Sequence, residues 1–108
     1  MPESGVPPGT LVMLVLRVLQ SAPLHGYAIA QRIHAITNDA LQVEEGSLYP
    51  ALQRILVKGW ARAEWGTSDT GRKVRFYRLT PAGHRQLETE MKDYERVNAA
   101  ILAVLRTA

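Results

Sequence analysis

GSLYPALQRILVKGW, residues 46–60, is the stretch whose reading decides the fold. At about 100° per residue, Leu48, Leu52, Ile55 and Leu56 gather on one side, while Ser47, Pro50, Gln53, Arg54 and Val57 gather on the other. The spacing predicts a helix over 47–58 with one face to bury and one to present. Its ends agree with that reading. Ser47 can cap the first free N–H groups, Pro50 is tolerated in the first turn, Lys58 suits the negative end and Gly59 can terminate. On the outward face, small Ser47 and Pro50 let the backbone approach a partner and Tyr49 stands on the flank. Gln53 and Arg54 behind them can read base edges or grip phosphate. The plainer reading of the same residues is an amphipathic helix with a polar outer face.

Working outward toward the N-terminus, HGYAIAQRIHAI predicts a second helix from His25 to about Thr37, with Ile29, Ala30, Ile33 and Ile36 on its inward stripe. Between the two helices, residues 41–43 read as a brief strand or an extended connection. Residues 21–24, with Pro23, make a turn. Ahead of it, TLVMLVLRVLQ, residues 10–20, is apolar nearly all round, interrupted only by Arg17. A short helix of that kind must be buried on more than one side, which implies a second subunit or an extra helix. Residues 1–8, rich in Gly and Pro with no apolar period, read as a flexible arm.

Toward the C-terminus the period changes. WARAEW alternates, with Ala61, Ala63 and Trp65 on one side, and VRFYRL places Arg75, Tyr77 and Leu79 on one face. GTSDTGRK between them, residues 66–73, has the composition of a hairpin connection. Thr80 and Pro81 then open a last helix. Gly83 is a weak spot in it, but no breaker follows, so it can run some 25 residues, or roughly 37 Å at 1.5 Å per residue. That is longer than a domain of this size needs. Within it Leu87, Met91, Tyr94, Asn98, Ile101 and Leu105 recur at alternating steps of four and three, the spacing of a heptad seam. Asn98 stands where a buried Asn would set register.

Charge adds a direction. The chain of 108 residues carries a net charge of +3, yet residues 46–85 hold eight basic side chains against Glu64 and Asp69, a local +6, leaving −3 for the rest. Such a segment suits a polyanion. Other functions lack their residues. There is no cysteine for a disulfide or thiolate site, His25, His34 and His84 are scattered, and no spacing suggests a metal, a cofactor or a nucleophile. The first ten residues carry an acid, three prolines and no basic charge, unlike a signal peptide. The longest apolar run falls far short of the roughly 20 residues a membrane span requires. A cytoplasmic protein with one domain, or one domain plus an appended helix, is expected.

Three helices, an outward-facing third helix and a basic hairpin make a winged helix-turn-helix. HGYAIAQRI at 25–33, GSLYPALQRILVKGW at 46–60 and GRKVRFYRLTPAGHRQL at 71–87, in that order and spacing, resemble the PadR family of transcriptional regulators. Gly46, Ser47, Leu48, Tyr49 and Pro50 match the segment that opens the family's recognition helix. His25, Gly26 and Tyr27 match the opening of its second helix. Tyr77 to Gly83 resemble the exit from the wing into the C-terminal helix.

The resemblance implies a mainly α fold with a small β-hairpin: an arm over 1–8, a winged helix-turn-helix over 9–80 and a C-terminal dimerisation helix over 81–108. It implies a homodimeric repressor that binds double-stranded DNA at a palindromic operator, with the recognition helix in the major groove and the wing on the backbone. Ser47, Tyr49, Pro50, Gln53, Arg54 and Lys58 are then expected near bases and phosphates, Tyr27 and Gln31 near phosphate, and Arg72, Lys73 and Arg75 on the wing. Family members with a short C-terminus pair their terminal helix with the first helix. That assigns Leu11, Leu14, Val15 and Val18 to the dimer interface with Leu87, Met91, Tyr94, Asn98, Ile101 and Leu105. A small apolar effector between subunits, lined by Met91, Tyr94 and Trp60, is a further expectation.

Each residue also has a plainer use. Tyr49 can pack on the second helix, Trp65 and Tyr77 can be core, Arg62 and Arg78 can pair across strands with Glu64, and the wing cations can be a solvated turn. The competing function is a winged-helix module that binds protein instead of DNA.

Overall fold

Leucines, isoleucines and valines at helical spacing assemble one core in the computed structural model, which describes residues 5–7 and 9–107. The order is α1 (Leu11–Ser21), β1 (Leu24–His25), α2 (Gly26–Ile36), α3 (Glu45–Val57), β2 (Ala61–Thr67), β3 (Lys73–Leu79) and α4 (Pro81–Leu105). Of the arm expected over 1–8, residues 1–4 and 8 lie outside the described residues. Gly5 makes an isolated parallel bridge to Gln42, and Val6 packs against the core.

The apolar character of α1 is explained largely within the chain. It packs on α2, α3, β3 and α4, burying Val15, Leu16, Val18 and Leu19. Burial on that many sides needs no second subunit for these four. Leu11, Val12, Met13 and Leu14 remain partly exposed at its N-terminal end.

Two features differ from the sequence expectation. Leu24 and His25 form a third strand, paired antiparallel with Tyr77 and Phe76, so the sheet order is β1-β3-β2. A two-residue strand has no period to read, and only the free edge of β3 creates it. His25 still opens α2, accepting the Ala28 N–H on Nδ1 at 3.4 Å. Helix α3 begins two residues before Ser47, with Glu44 at its N-cap and no side-chain cap. The Glu44 carbonyl accepts the Ser47 and Leu48 N–H groups at 3.0 and 2.9 Å. Just before it, Val43 is buried and donates its N–H to His34 Nε2 at 2.8 Å. Tertiary anchoring of Val43 thus places the helix start, and Ser47 and Pro50 fall inside the helix instead of at its opening. Of the two readings of residues 41–43, the structure has the extended connection, with an isolated bridge at Gln42.

The helix ends as expected. Gly59 and Trp60 donate their N–H groups back to the Leu56 and Ile55 carbonyls, both at 3.0 Å, the paired bonds of a Schellman motif. The hairpin register runs from Ala61↔Leu79 to Thr67↔Lys73. Its connection is tighter than residues 66–73: Ser68 and Arg72 close it, with Gly71 at φ 82°. Arg78 reaches Glu64 across the strands at 3.2 Å, whereas Arg62 stands opposite Arg78. Tyr77 is buried as expected, but Trp65 is not core: it is 66% exposed, because the hairpin has run past the helices by that point.

Helix α4 starts where Thr80 accepts the Gly83 N–H at 3.1 Å, with Pro81 in the first turn. Gly83 is no weak spot. A Cβ there would lie 2.0 Å from the Trp60 carbonyl oxygen, so glycine is what allows α4 to seat on the start of β2. The seat is completed by Thr80, whose hydroxyl donates to the Gly59 carbonyl at 2.6 Å.

Candidate nucleic-acid interface

The geometry of α3 follows its period. Leu48, Leu52 and Ile55 are buried, and Ser47, Tyr49, Pro50, Gln53, Arg54, Val57 and Lys58 are exposed. The exposed residues divide between two flanks. On one, the Tyr49 ring lies against the start of α2, where a Cβ on Gly26 would come within 3.1 Å of its hydroxyl oxygen. Tyr49 therefore packs on α2 and stays half exposed, so the structural and the surface use coexist. On the other flank, Ser47, Pro50, Ala51 and Arg54 border a 320 Å³ groove shared with Leu11 and Val12 of α1, with Trp60 just before β2 and with Glu90 of α4.

On α2, Tyr27 and Gln31 are exposed one turn apart, and the Gln31 amide donates to the Tyr27 hydroxyl. They face the wing across a groove of 840 Å³, to which α2 also contributes Arg32 and the hairpin contributes Arg72 and Lys73. Sequence reasoning missed Arg32. Its signal was available, since it follows Gln31 on a helix face that the apolar stripe leaves free. Arg75 is exposed on β3 but does not border this groove.

Among the described residues the cations here have no carboxylate partner. Two ion pairs were found among the described residues, Arg78 with Glu64 and Arg96 with Asp93, and neither involves Arg32, Arg54, Lys58, Arg72, Lys73 or Arg75. Among the described residues no group of His and carboxylates could hold a metal ion, and no helix is long and apolar enough to cross a membrane.

A helix face flanked by unpaired cations on a winged scaffold is the surface on which comparison with known proteins bears. The sequence profile of the transcriptional regulator PadR-like family matches residues 15–89, which span α1 to the first part of α4. The chain belongs to this family. PadR family members are transcriptional regulators that bind DNA, not enzymes. The chain is 32% identical over 101 residues to a Lysinibacillus sphaericus protein designated uncharacterized protein X, covering 94% of this chain and 93% of that one. Among solved structures it resembles a PadR family transcriptional regulator from Eggerthella lenta DSM 2243, with 29% identity and a TM-score of 0.77 over 93% of this chain and 85% of the other. It also resembles a transcriptional regulator from Clostridium thermocellum, with a TM-score of 0.81 at 24% identity over 88% and 92% of the two chains. At that identity the second likeness is one of fold.

In this PadR family member the residues expected at a dimer interface separate into two groups. Val15, Val18 and Leu87 are buried inside the protomer's own core, Leu87 to 1% exposure, so they cannot meet a partner directly. The seam beyond Leu87 is uncovered: Met91, Tyr94, Ile101 and Leu105 are exposed, with Val97 and Val104 beside them and Asn98 among them. Leu11 and Leu14 of α1 are partly exposed. Two of the residues expected around an apolar effector border different grooves among the described residues. Trp60 borders the groove beside Arg54, whereas Tyr94 borders a separate 370 Å³ groove with Met13 and Asp93.

Proposed function

We propose that this protein is a homodimeric repressor that reads a palindromic operator, with α3 in the major groove and the wing on the adjacent backbone. The observation that carries this reading is the meeting of Arg32, Arg72 and Lys73 around one groove between α2 and the hairpin, with no carboxylate among the described residues paired to any of them, while α3 presents Gln53, Arg54 and Lys58 on its own exposed face. Cations not neutralised by a carboxylate can displace the counterions of a phosphate backbone, which makes binding salt-dependent. Gln53 and Arg54 present amide and guanidinium groups able to bond base edges, a good bidentate contact discriminating by about 1–3 kcal/mol. Tyr27 and Gln31, already bonded to each other, offer donors to a phosphate at the mouth of the groove.

Dimerisation follows from the uncovered seam. A row of large apolar side chains at heptad spacing on a 25-residue helix is expensive to leave in water, and a second copy covers it most simply. Two reading heads related by a two-fold axis then address two half-sites. Because Arg54 borders the same groove as Leu11, Trp60 and Glu90, a small apolar molecule lodged where α1 and α4 meet is placed to disturb the reading helix. The protein acts in the cytoplasm, where such a chromosomal target lies.

Selection of bound duplexes from a random pool tests the proposal. The expected product is an inverted repeat with half-site centres about one helical turn apart. Recovery of no enriched sequence, together with no retention of the protein on duplex DNA at low salt, overturns it in favour of a protein-binding module.

A further inference from the structure

The wing carries one large apolar side chain that the fold does not use. Trp65 stands on the face of the hairpin that, nearer the helices, supplies Ala61, Ala63 and Tyr77 to the core. At Trp65 that face has left the core and the ring is 66% exposed. Its surroundings are cationic. Arg75 is its direct cross-strand partner, and the Lys73 ammonium sits 5.2 Å from the ring centroid. Lys73 also borders the groove that holds Tyr27, Gln31 and Arg32, so the indole adjoins the surface already assigned to the nucleic acid.

An exposed tryptophan beside two cations of the neighbouring strand selects its partner by chemistry. An apolar protein patch would have to desolvate Lys73 and Arg75 without compensation. A second wing would bring like charges together. A nucleic-acid strand offers what the site lacks, with phosphates for the cations and the apolar edge of the sugar for the ring, whose N–H remains free to donate.

We infer that Trp65 is a DNA contact: its indole covers a sugar edge of the strand that Lys73 and Arg75 hold by its phosphates, adding a non-ionic component to wing binding. This rests on the proposed DNA reading. Lys73 over the ring also stabilises the bare hairpin, so the test must detect contact with DNA and not merely a weakened wing.

The full-length protein and its Trp65→Phe variant are titrated with a mixed-sequence duplex at low salt. Tryptophan emission is followed together with the anisotropy of a labelled duplex strand. Emission of the native chain is expected to change with the same midpoint as the anisotropy, while the variant, left with Trp60, changes little. Trp65→Val keeps a strand former at the position. It is expected to weaken binding about tenfold, equivalent to about 1.4 kcal/mol, without altering the dependence of affinity on salt. Lys73→Ala, by contrast, should lower the salt slope by about 0.9. If anisotropy reports binding while Trp65 emission stays constant and Trp65→Val binds normally, Trp65 is no contact and the inference fails alone. If anisotropy never rises, the DNA reading fails and takes the inference with it.

Discussion

Gly83→Ala sets two physical rules against each other. Inside a helix alanine is favoured over glycine by about 1 kcal/mol, so propensity alone makes the variant more stable. Contact geometry says the opposite. The added Cβ would stand 2.0 Å from the Trp60 carbonyl oxygen and 2.6 Å from Leu79 Cδ1. The leucine can rotate away. The carbonyl cannot, because it accepts the Thr80 N–H at 3.0 Å at the turn into α4. Regaining an ordinary contact requires α4 to back away by about 1 Å. That movement strains the Thr80 bonds to Trp60 and Gly59 and draws Leu87, one turn further on, out of the core. Overpacking costs about 1–3 kcal/mol and a weakened hydrogen bond about 0.5–1.5. After the propensity gain is set against them, a net loss of about 1–3 kcal/mol is expected, a large share of the 5–15 typical of a domain. The assay is urea unfolding followed by far-ultraviolet circular dichroism, at one protein concentration because dimerisation contributes to apparent stability. An unfolding midpoint equal to or above that of the native chain refutes the reasoning.

Other expectations concern the interfaces. Arg54→Ala should relax base preference at one operator position, whereas Lys73→Ala should weaken all sequences about equally; an unchanged affinity and salt slope for both, measured on a selected operator, shows that these contacts are misplaced. Leu87→Ala should cost about 2–5 kcal/mol at every protein concentration, since the side chain is enclosed within the protomer. Ile101→Ala should instead raise the dimer dissociation constant in sedimentation and leave the monomer's fold intact. Asn98→Leu should strengthen the dimer and loosen its register; a dimer that dissociates more readily than the native one would contradict a buried position for Asn98.

The pattern of elements was legible because each long element repeats its own period. Leu48, Leu52 and Ile55 announce which side of α3 is buried, and Gln53 and Arg54 follow on the other side by geometry alone. The heptad steps from Leu87 onward show in the same way that α4 outruns its domain. What periodicity cannot report is which neighbour covers a face. Val15 and Leu87 carry the same apolar signature as Ile101, yet the first two are enclosed by their own chain and the third is not. Trp65 alternates in phase with Ala61 and Ala63, but alternation does not tell where along a strand the core stops.

Local chemistry and long-range contact thus divide the protein between them. Residue order alone specifies the two amphipathic helices, the hairpin, the Thr80-Pro81 start of α4 and the concentration of positive charge between Gly46 and Arg85, because propensity, side-chain period and charge act over a few residues. Folding in three dimensions decides the rest. It places the two-residue strand beside β3, moves the start of α3 to where Val43 is anchored on His34, and makes Gly83 obligatory at Trp60. It also brings Arg32 to the same groove as Arg72 and Lys73. Apart from the Val43–His34 bond, whose partners lie nine residues apart, those features depend on atoms distant in the chain that no short window of sequence contains together.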